Sequence, residues 1–372
     1  MNRTSLRRVA APGIAALAIG MTLSACGAAN ETSTSSSSSS NSSQDLSGKL
    51  AGAGASSQEK AQEAWATGFQ GLHSGVTVTY DPVGSGDGRK QFIAKGVSFA
   101  GSDSYLNDDE GELTAAKKRC GGTDPIEVPA YVSPIAVVYN LPGVDSLQMS
   151  AKTIAGIFDG KITKWDDPAI AAENPGANLP STAITPVHRS DDSGTTKNFT
   201  DYLDKAGEGA WKYPAADAFP VKGEAAEGTS GVISAVTNGK GTIGYADESQ
   251  AGSLGKVKVK VGSAYVAPSA EGAAKVVAIS PPAKGRPAVD MAVDLDRTTT
   301  EAGAYPVVLL SYLIACQSYP DSNEAGLVKA YLEYAVSNEG QAAAAKNAGS
   351  APLDTKVSDK AKGILEKIKA TA

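Results

Sequence analysis

From residue 48 onward, short apolar runs alternate with segments whose apolar positions recur at helical spacing. We predict strands at 76–80, 98–100, 131–140, 183–188, 242–245, 257–261 and 306–314. We predict helices at 58–70, 89–94, 109–118, 151–158, 195–206, 231–237, 324–336 and 359–370, with Pro/Gly-rich loops at 174–180 and 281–287. Strands that alternate with helices predict an α/β fold. The 372 residues are enough for two separate cores.

The first 25 residues have the pattern of an export signal. Three Arg lie within the first eight residues, an apolar stretch follows at 9–23, and Leu-Ser-Ala precedes Cys26. This order predicts a lipoprotein signal peptide at 1–25, with Cys26 as the lipid-carrying first residue. The alternative is an ordinary signal peptide that happens to be followed by a cysteine.

Residues 26–47 contain a dense Ser/Thr/Asn tract. Such a segment has little to bury, so we predict a flexible tether. No second apolar run approaches the roughly 20 residues needed to span a bilayer. We therefore expect a protein lipid-anchored to the cell membrane on its extracytoplasmic face.

The composition excludes several classes of function. The formal net charge is −6, and it becomes −9 without the three Arg of residues 1–25. A chain with this acidic balance is a poor nucleic-acid binder, because such binding depends on neutralising phosphates. Two His and three Cys, without CxxC or HExxH, predict neither a metal site nor a cofactor. The acidic balance also argues, at first, against an anionic ligand.

Cys120 and Cys316 are the cysteines that remain after Cys26 is lipidated. In an exported protein such a pair predicts a disulfide, although two buried free thiols are the alternative.

Three segments share one design, in which a short Gly/Ser loop leads from a strand end into a helix. They lie at 52–57, 83–88 and 188–196. A helix start offers free N–H groups and a partial positive charge, so it can bind an anion. The alternative for each loop alone is ordinary helix capping by Ser, Thr or Asp. No Walker A pattern is present, which argues against an NTPase.

The third loop differs because Arg189 stands beside Asp191 and Asp192. A guanidinium can hold an oxyanion with two parallel hydrogen bonds, and a neighbouring carboxylate can fix its orientation. The alternative is a surface salt bridge of little energetic value.

Together these segments resemble the phosphate-binding lipoproteins of the high-affinity Pst-type phosphate ABC transporter, over about residues 49–340. Six motifs in the family's order carry the resemblance: GAGA (52–55), GSGDGRKQ (84–91), FAGSD (99–103), IFDGKITKWDDP (157–168), RSDDSGT (189–195) and GTIGY (241–245).

The resemblance implies a two-lobed, type II periplasmic-binding-protein-like fold, with phosphate held in a cleft between lobes joined by a two-strand hinge. Lobe 1 would comprise 48–130 plus 304–372, and lobe 2 would comprise 131–303. The chain would cross between them at 131–133 and near 302–306, and the predicted disulfide would lie within lobe 1. The implied function is capture of inorganic phosphate and its delivery to the permease of an ABC importer.

The resemblance also implies the ligand contacts. Ser56 and Ser85 would donate their hydroxyls, and Ser57 would donate its N–H. Asp103 would be the acceptor carboxylate, and Arg189 the only cation, oriented by Asp191. The third side of the site would be closed by Ser193, Gly194 and Thr195. The family usually has Thr-Phe where this chain has Ser56-Ser57, so an aromatic wall is lost.

Phosphate chemistry explains an acid in an anion site. Phosphate near neutral pH keeps at least one proton and can donate a hydrogen bond to Asp103, whereas sulfate presents only lone pairs. Net charge governs long-range attraction and solubility rather than a buried site, so the acidic balance does not exclude phosphate.

Three alternative functions share some of these sequence features. Ser57-Gln-Glu-Lys60 matches the SxxK pattern of serine acyl-transfer enzymes, but no KTG or SDN-like element accompanies it and neither His has a triad setting, so we expect no enzyme. A receptor for sulfate or molybdate is opposed by Asp103. A phosphate sensor or scavenger would use the same site as a transporter.

Overall fold

The structure, a computed structural model, describes residues 46–371. The predicted signal peptide, the lipidation site Cys26 and the tether up to residue 45 lie outside the described residues. Ser47, which we assigned to the tether, already belongs to the first strand. Within the described part of the chain, no helix is both long and apolar enough to cross a membrane.

The strands and helices alternate along the chain, as predicted. The strands are β1 (Ser47–Gly54), β2 (Gly75–Asp81), β3 (Phe99–Ser102), β4 (Ile126–Asn140), β5 (Leu147–Met149), β6 (Thr185–Arg189), β7 (Glu224–Ala226), β8 (Thr242–Asp247), β9 (Gly255–Val261), β10 (Ala264–Val266), β11 (Val308–Ala315), β12 (Ser318–Tyr319) and β13 (Lys369–Ala370). The helices are α1 (Glu59–Leu72), α2 (Ser85–Ile93), α3 (Glu112–Arg119), α4 (Ala151–Phe158), α5 (Pro168–Glu173), α6 (Gly194–Ala206), α7 (Gly228–Asn238), α8 (Ala270–Ile279), α9 (Ser322–Ala335), α10 (Asn338–Ala348) and α11 (Thr355–Leu365).

One sheet runs through the described chain in the order β2-β1-β3-β11-β4-β8-β6-β7, with β9 pairing β4, β5 and β10. β1, β2 and β3 are parallel, and β11 runs antiparallel to β3 and β4. This topology confirms the predicted α/β class.

β4 links the two halves of the sheet. Its first part, up to Pro134, pairs with β11, and its second part, from Ile135, pairs with β8. All its residues except Asn140 are buried, because α7, α8 and α11 pack against it. This burial explains the continuous apolar run that predicted a strand here. The proposed lobe limits stay a prediction, although the partner change lies close to the predicted crossing.

The element prediction was wrong in three respects. The strands β1, β5, β7, β10 and β12 were not among those predicted. The predicted helix at 359–370 begins earlier and ends at Leu365, because Lys369 and Ala370 instead pair with Ser318 and Tyr319 as β13. Helices α5, α8 and α10 were not predicted at all. In α10 the buried face consists of glycine, glutamine and alanine, so it carries little apolar periodicity.

A disulfide joins Cys120, at the end of α3, to Cys316, directly after β11. Both cysteines are buried. The predicted pairing is therefore confirmed, and the alternative of two free thiols is wrong.

Candidate anion-binding site

The predicted second and third loops meet at the starts of α2 and α6. A side-chain carbon at Gly194 would lie 2.7 Å from the Ser85 hydroxyl and 2.9 Å from Cβ of Asp103. Gly84 has a positive φ of 98°, and a side-chain carbon there would lie 2.4 Å from a carboxylate oxygen of Asp191. Both positions therefore require glycine, because the two loops approach each other through bare backbone.

Asp103 lies at the centre of this junction and is only 3% exposed. Its carboxylate accepts hydrogen bonds from the hydroxyls of Ser57 (2.7 and 2.8 Å), Thr195 (2.7 Å) and Ser311 (2.6 Å). Its backbone N–H donates to the Ser85 hydroxyl at 3.1 Å. Burial raises the pKa of Asp103, and the three hydroxyls offset part of that rise. The result is a buried carboxylate surrounded by neutral donors.

Arg189 is also 3% exposed. Its Nε donates to Asp191 Oδ1 at 2.7 Å, and its Nη2 donates to Asp191 Oδ2. Asp191 further accepts the Gly228 N–H at 3.0 Å. Although burial acts to raise the pKa of Asp191, the bonds and charge of Arg189 hold that pKa below its usual value. Arg189 and Asp191 thus form a buried, bidentate ion pair rather than a surface salt bridge.

The first loop contributes its two serines in different ways. The Ser57 hydroxyl binds Asp103, a contact beyond the N–H donation that we predicted. The Ser56 hydroxyl lies 2.9 Å from Thr229 Oγ1 and accepts the Thr229 N–H at 3.1 Å. Ser56 is therefore tied to the start of α7 and is not a partner of Asp103.

Helix capping accounts for one of the predicted hydroxyls. Ser193 is the N-cap of α6, and its Oγ accepts the Thr196 N–H at 3.2 Å. At the first loop Ala55 is the N-cap of a 3-10 turn, Ser56–Gln58, and at the second loop Gly84 is the N-cap of α2; neither makes a side-chain capping bond. Capping thus explains Ser193 but leaves the hydroxyls of Ser56, Ser57 and Ser85 for other roles.

Sequence reasoning missed two hydroxyl residues that complete the junction. Thr229 lies in a fourth Gly/Ser loop, 227–231, which opens α7 with the same design as the other three. That composition was a usable signal. Ser311 is the lone small hydroxyl in the apolar strand β11, where only its contact with Asp103 reveals a role.

A second buried guanidinium, Arg89, lies beside the Asp103 loop, where we predicted Arg189 as the only cation. Its Nε and Nη2 bind Glu112 and Asp217, each at 2.8 Å. Its Nη1 donates to Ser102 at 3.0 Å and to Ser104 at 2.8 Å. Since all three nitrogens already have protein partners, Arg89 serves as a structural tie at the edge of the site.

The residues of the alternative enzyme readings have unrelated partners. The Ser57 hydroxyl binds the buried carboxylate described above, whereas Lys60 pairs with Glu63 at 3.1 Å on the surface. The His188 ring stacks on Phe219, with centroids 4.5 Å apart. Between residues 46 and 371, no cluster of three or more His, Cys, Asp or Glu could hold a metal ion.

Comparison with known proteins gives consistent matches. Residues 34–339 match the family model described as a PBP superfamily domain. The phosphate-binding protein PstS2 of Mycobacterium bovis (strain BCG / Pasteur 1173P2) is 34% identical over 337 residues, which cover 87% of this chain and 89% of the relative. Phosphate-binding protein PstS 3 of Mycobacterium leprae (strain TN) is 35% identical over 334 residues, covering 86% and 88%.

Solved structures share the fold. A high affinity periplasmic phosphate-binding protein (PfluDING), bound with phosphate, superimposes with a TM-score of 0.70 at 24% identity, covering 85% of this chain and 93% of its own. This likeness confirms the predicted two-lobed, PBP-like fold. Because the curated relatives exceed 30% identity over most of both chains, the protein belongs to the PstS family of phosphate-binding proteins.

Proposed function

We propose that the protein captures inorganic phosphate outside the cytoplasm and delivers it to the permease of an ABC-type phosphate importer. The observation that carries this proposal is Asp103, a buried carboxylate set among hydroxyl donors where the starts of α2 and α6 meet. The names of the PstS relatives support the same ligand.

In the proposed site, the protonated oxygen of phosphate donates a hydrogen bond to Asp103, and the other oxygens accept hydrogen bonds from the surrounding groups. Its oxygens receive hydrogen bonds from hydroxyls and N–H groups at the helix starts and from the Arg189 guanidinium, which Asp191 orients. The donors assigned to the ligand are Ser56, Ser57, Ser85, Ser193, Gly194 and Thr195. For Ser193 we assign the hydroxyl proton, because its N–H donates to the Asp217 carbonyl at 3.0 Å and its Oγ acts only as an acceptor when it caps α6.

Closure between the two lobes supplies the signal for transport. The contacts that join residues of 48–130 to residues of 131–303 include Ser56–Thr229 and Asp103–Thr195. A ligand that bridges these segments favours the closed arrangement in proportion to its preference for that arrangement. The permease would then recognise the closed form.

We further propose that Cys26 carries the lipid that holds the protein at the outer face of the cell membrane. The support is the Leu-Ser-Ala-Cys motif that follows the apolar stretch at 9–23. Metabolic labelling with a palmitate analogue tests this, with Cys26→Ser as the control; labelling that survives the substitution contradicts it.

A calorimetric titration of residues 46–372 with phosphate, arsenate, sulfate and molybdate tests the ligand. We expect phosphate and arsenate to bind far more tightly than sulfate and molybdate, because only the first two retain a proton near neutral pH. Preferential binding of sulfate or molybdate would instead assign the site to a fully ionised oxyanion.

A further inference from the structure

Asp103 is the end of a buried chain of hydrogen bonds that reaches into the core. The Tyr331 hydroxyl donates to Gln62 Oε1 at 2.8 Å, and Gln62 Nε2 donates to Gln58 Oε1 at 2.8 Å. Gln58 Nε2 donates to the Ser311 hydroxyl at 2.5 Å, and Ser311 donates to Asp103 Oδ1 at 2.6 Å. Each of these side chains is at most 3% exposed, so water does not substitute for any link.

The direction of this chain is fixed by one backbone carbonyl. Gln58 Nε2 also lies 3.1 Å from the carbonyl oxygen of Tyr312, which can only accept. The atom facing that carbonyl must therefore be the amide nitrogen, and the same nitrogen faces Ser311. Since Ser311 then accepts from Gln58, its single proton is committed to Asp103.

We propose that Ser311, held by Gln58, is a positioning residue that keeps Asp103 a hydrogen-bond acceptor and thereby sets the preference for phosphate over sulfate. This inference rests on the proposed phosphate site. A protonated Asp103 could donate a hydrogen bond to sulfate and would be a weaker acceptor for the phosphate proton. The relay would thus control selectivity without touching the ligand.

Ser311 differs from the other two hydroxyl donors to Asp103 in how firmly its hydroxyl is held. Ser57 lies in the 3-10 turn that precedes α1, and Thr195 lies at the start of α6, where their hydroxyls can turn between the carboxylate and an anion. Ser311 lies in the middle of β11 with its acceptor side occupied by Gln58. Its hydrogen bond therefore persists whether or not ligand is present.

Several charged or titratable groups act on Asp103 from the surrounding elements. Arg189 of β6 favours its ionised form, whereas Asp247 of β8 and Tyr80 of β2 would disfavour it when ionised. Burial raises the pKa of Asp103, and the Ser311 hydrogen bond is the foremost of the groups that lower it. Loss of that bond should therefore let Asp103 take up a proton at a higher pH.

The test is calorimetric binding of phosphate and sulfate between pH 5.5 and 8.5 by the wild-type protein, Ser311→Ala and Gln58→Met. For Ser311→Ala we expect the phosphate-over-sulfate ratio of affinities to fall about tenfold near the acidic end, the equivalent of one hydrogen bond to a charged group. The ratio should approach the wild-type value at the alkaline end. Gln58→Met removes the hydrogen bond that commits the Ser311 proton to Asp103 but keeps the Ser311 hydroxyl. We therefore expect a smaller change of the affinity ratio in the same direction.

Ser358→Ala is the matched control. It removes an equally buried serine hydroxyl, which binds only the Val336 carbonyl, and should leave the pH profile unchanged. A uniform loss of affinity at all pH values in Ser311→Ala, or an unchanged profile in both Ser311→Ala and Gln58→Met, overturns the relay. The titration of phosphate itself is the same for every variant, so it cancels when the affinity ratios of the variants are compared with that of the wild-type protein. If the wild-type protein does not prefer phosphate, the proposed function itself fails, which is a distinct outcome.

Discussion

The guanidinium of Arg89 lies 2.8 Å from the carboxylate of Asp217, 128 residues further along the chain. The side chains of the pair are only 4% and 17% exposed. Arg89 belongs to the segment predicted as lobe 1 and Asp217 to the segment predicted as lobe 2. The ion pair thus joins the two segments whose approach would enclose the ligand.

We expect Asp217→Asn to weaken phosphate binding by about tenfold or more, mainly through faster dissociation, because it leaves a buried guanidinium less well paired. Stopped-flow measurement of the dissociation rate checks this. Lys90→Gln is the matched control, since Lys90 forms a 2.6 Å pair with Asp192 that is largely exposed. That exposed pair should matter less than about threefold. Unchanged dissociation in Asp217→Asn, with lowered stability alone, would assign the pair to folding instead of closure.

Replacing Asp103 by Asn tests the selectivity of the site. The Asn amide can donate to sulfate, so we expect phosphate affinity to fall, sulfate affinity to rise and their ratio to drop by about a hundredfold or more. Calorimetry with both anions measures the ratio. Asp109→Asn, an exposed aspartate further along the same segment, serves as the control. An unchanged ratio in Asp103→Asn would remove this residue from the site.

The ion pair of Arg189 and Asp191 gives a graded prediction. Arg189→Ala should weaken phosphate binding by about a hundredfold or more, because it removes the cation and leaves the Asp191 carboxylate uncompensated. Asp191→Asn retains the cation and loses only its orientation, so a loss of about tenfold is expected. Equilibrium titration of each variant distinguishes the two effects. Tight binding by Arg189→Ala would mean that the anion is held by a different positive group.

The helix starts were predictable because each is a local pattern. The loops at 83–88 and 188–196 contain within a few residues the glycine, the hydroxyls and the following helix, and the structure brings both to one point. Ser311 and Asp217 could not be predicted in this way. Each lies in a segment without a motif, and its partner is more than 100 residues away. The predicted end of the helix at 359–370 was wrong for a related reason, since β13 exists only through its pairing with β12.

Asp247 makes the stability depend on pH. Burial raises its pKa to about 7, although Ser249 and Ser133 oppose the rise. Between about pH 4 and pH 7 the unfolded chain releases this proton while the folded protein keeps it, so this residue lowers the free energy of unfolding as the pH rises. Above about pH 7 both states are ionised and the penalty is constant. Asp247→Asn should therefore gain stability relative to the wild-type protein, by a few kcal/mol at pH 8 and by little at pH 4.

Guanidinium unfolding of both proteins at pH 4, 6 and 8 measures that difference. Asp247 also caps a short turn by accepting the Ser249 N–H at 3.0 Å. Asp321→Asn controls for the loss of such a capping carboxylate, because Asp321 caps α9 at the surface by accepting the Glu324 N–H at 2.7 Å. A difference between wild type and Asp247→Asn that does not change with pH would contradict the assignment.

The disulfide between Cys120 and Cys316 closes a covalent ring over a separation of 196 residues, and this ring contains all of 131–303. A single protease cut anywhere inside the ring therefore leaves one molecule rather than two fragments. On a gel without reductant a nicked protein should remain one covalently joined band, and with reductant it should separate into two pieces. Damage to an exposed loop of the ring would thus open the chain without releasing either half from the other.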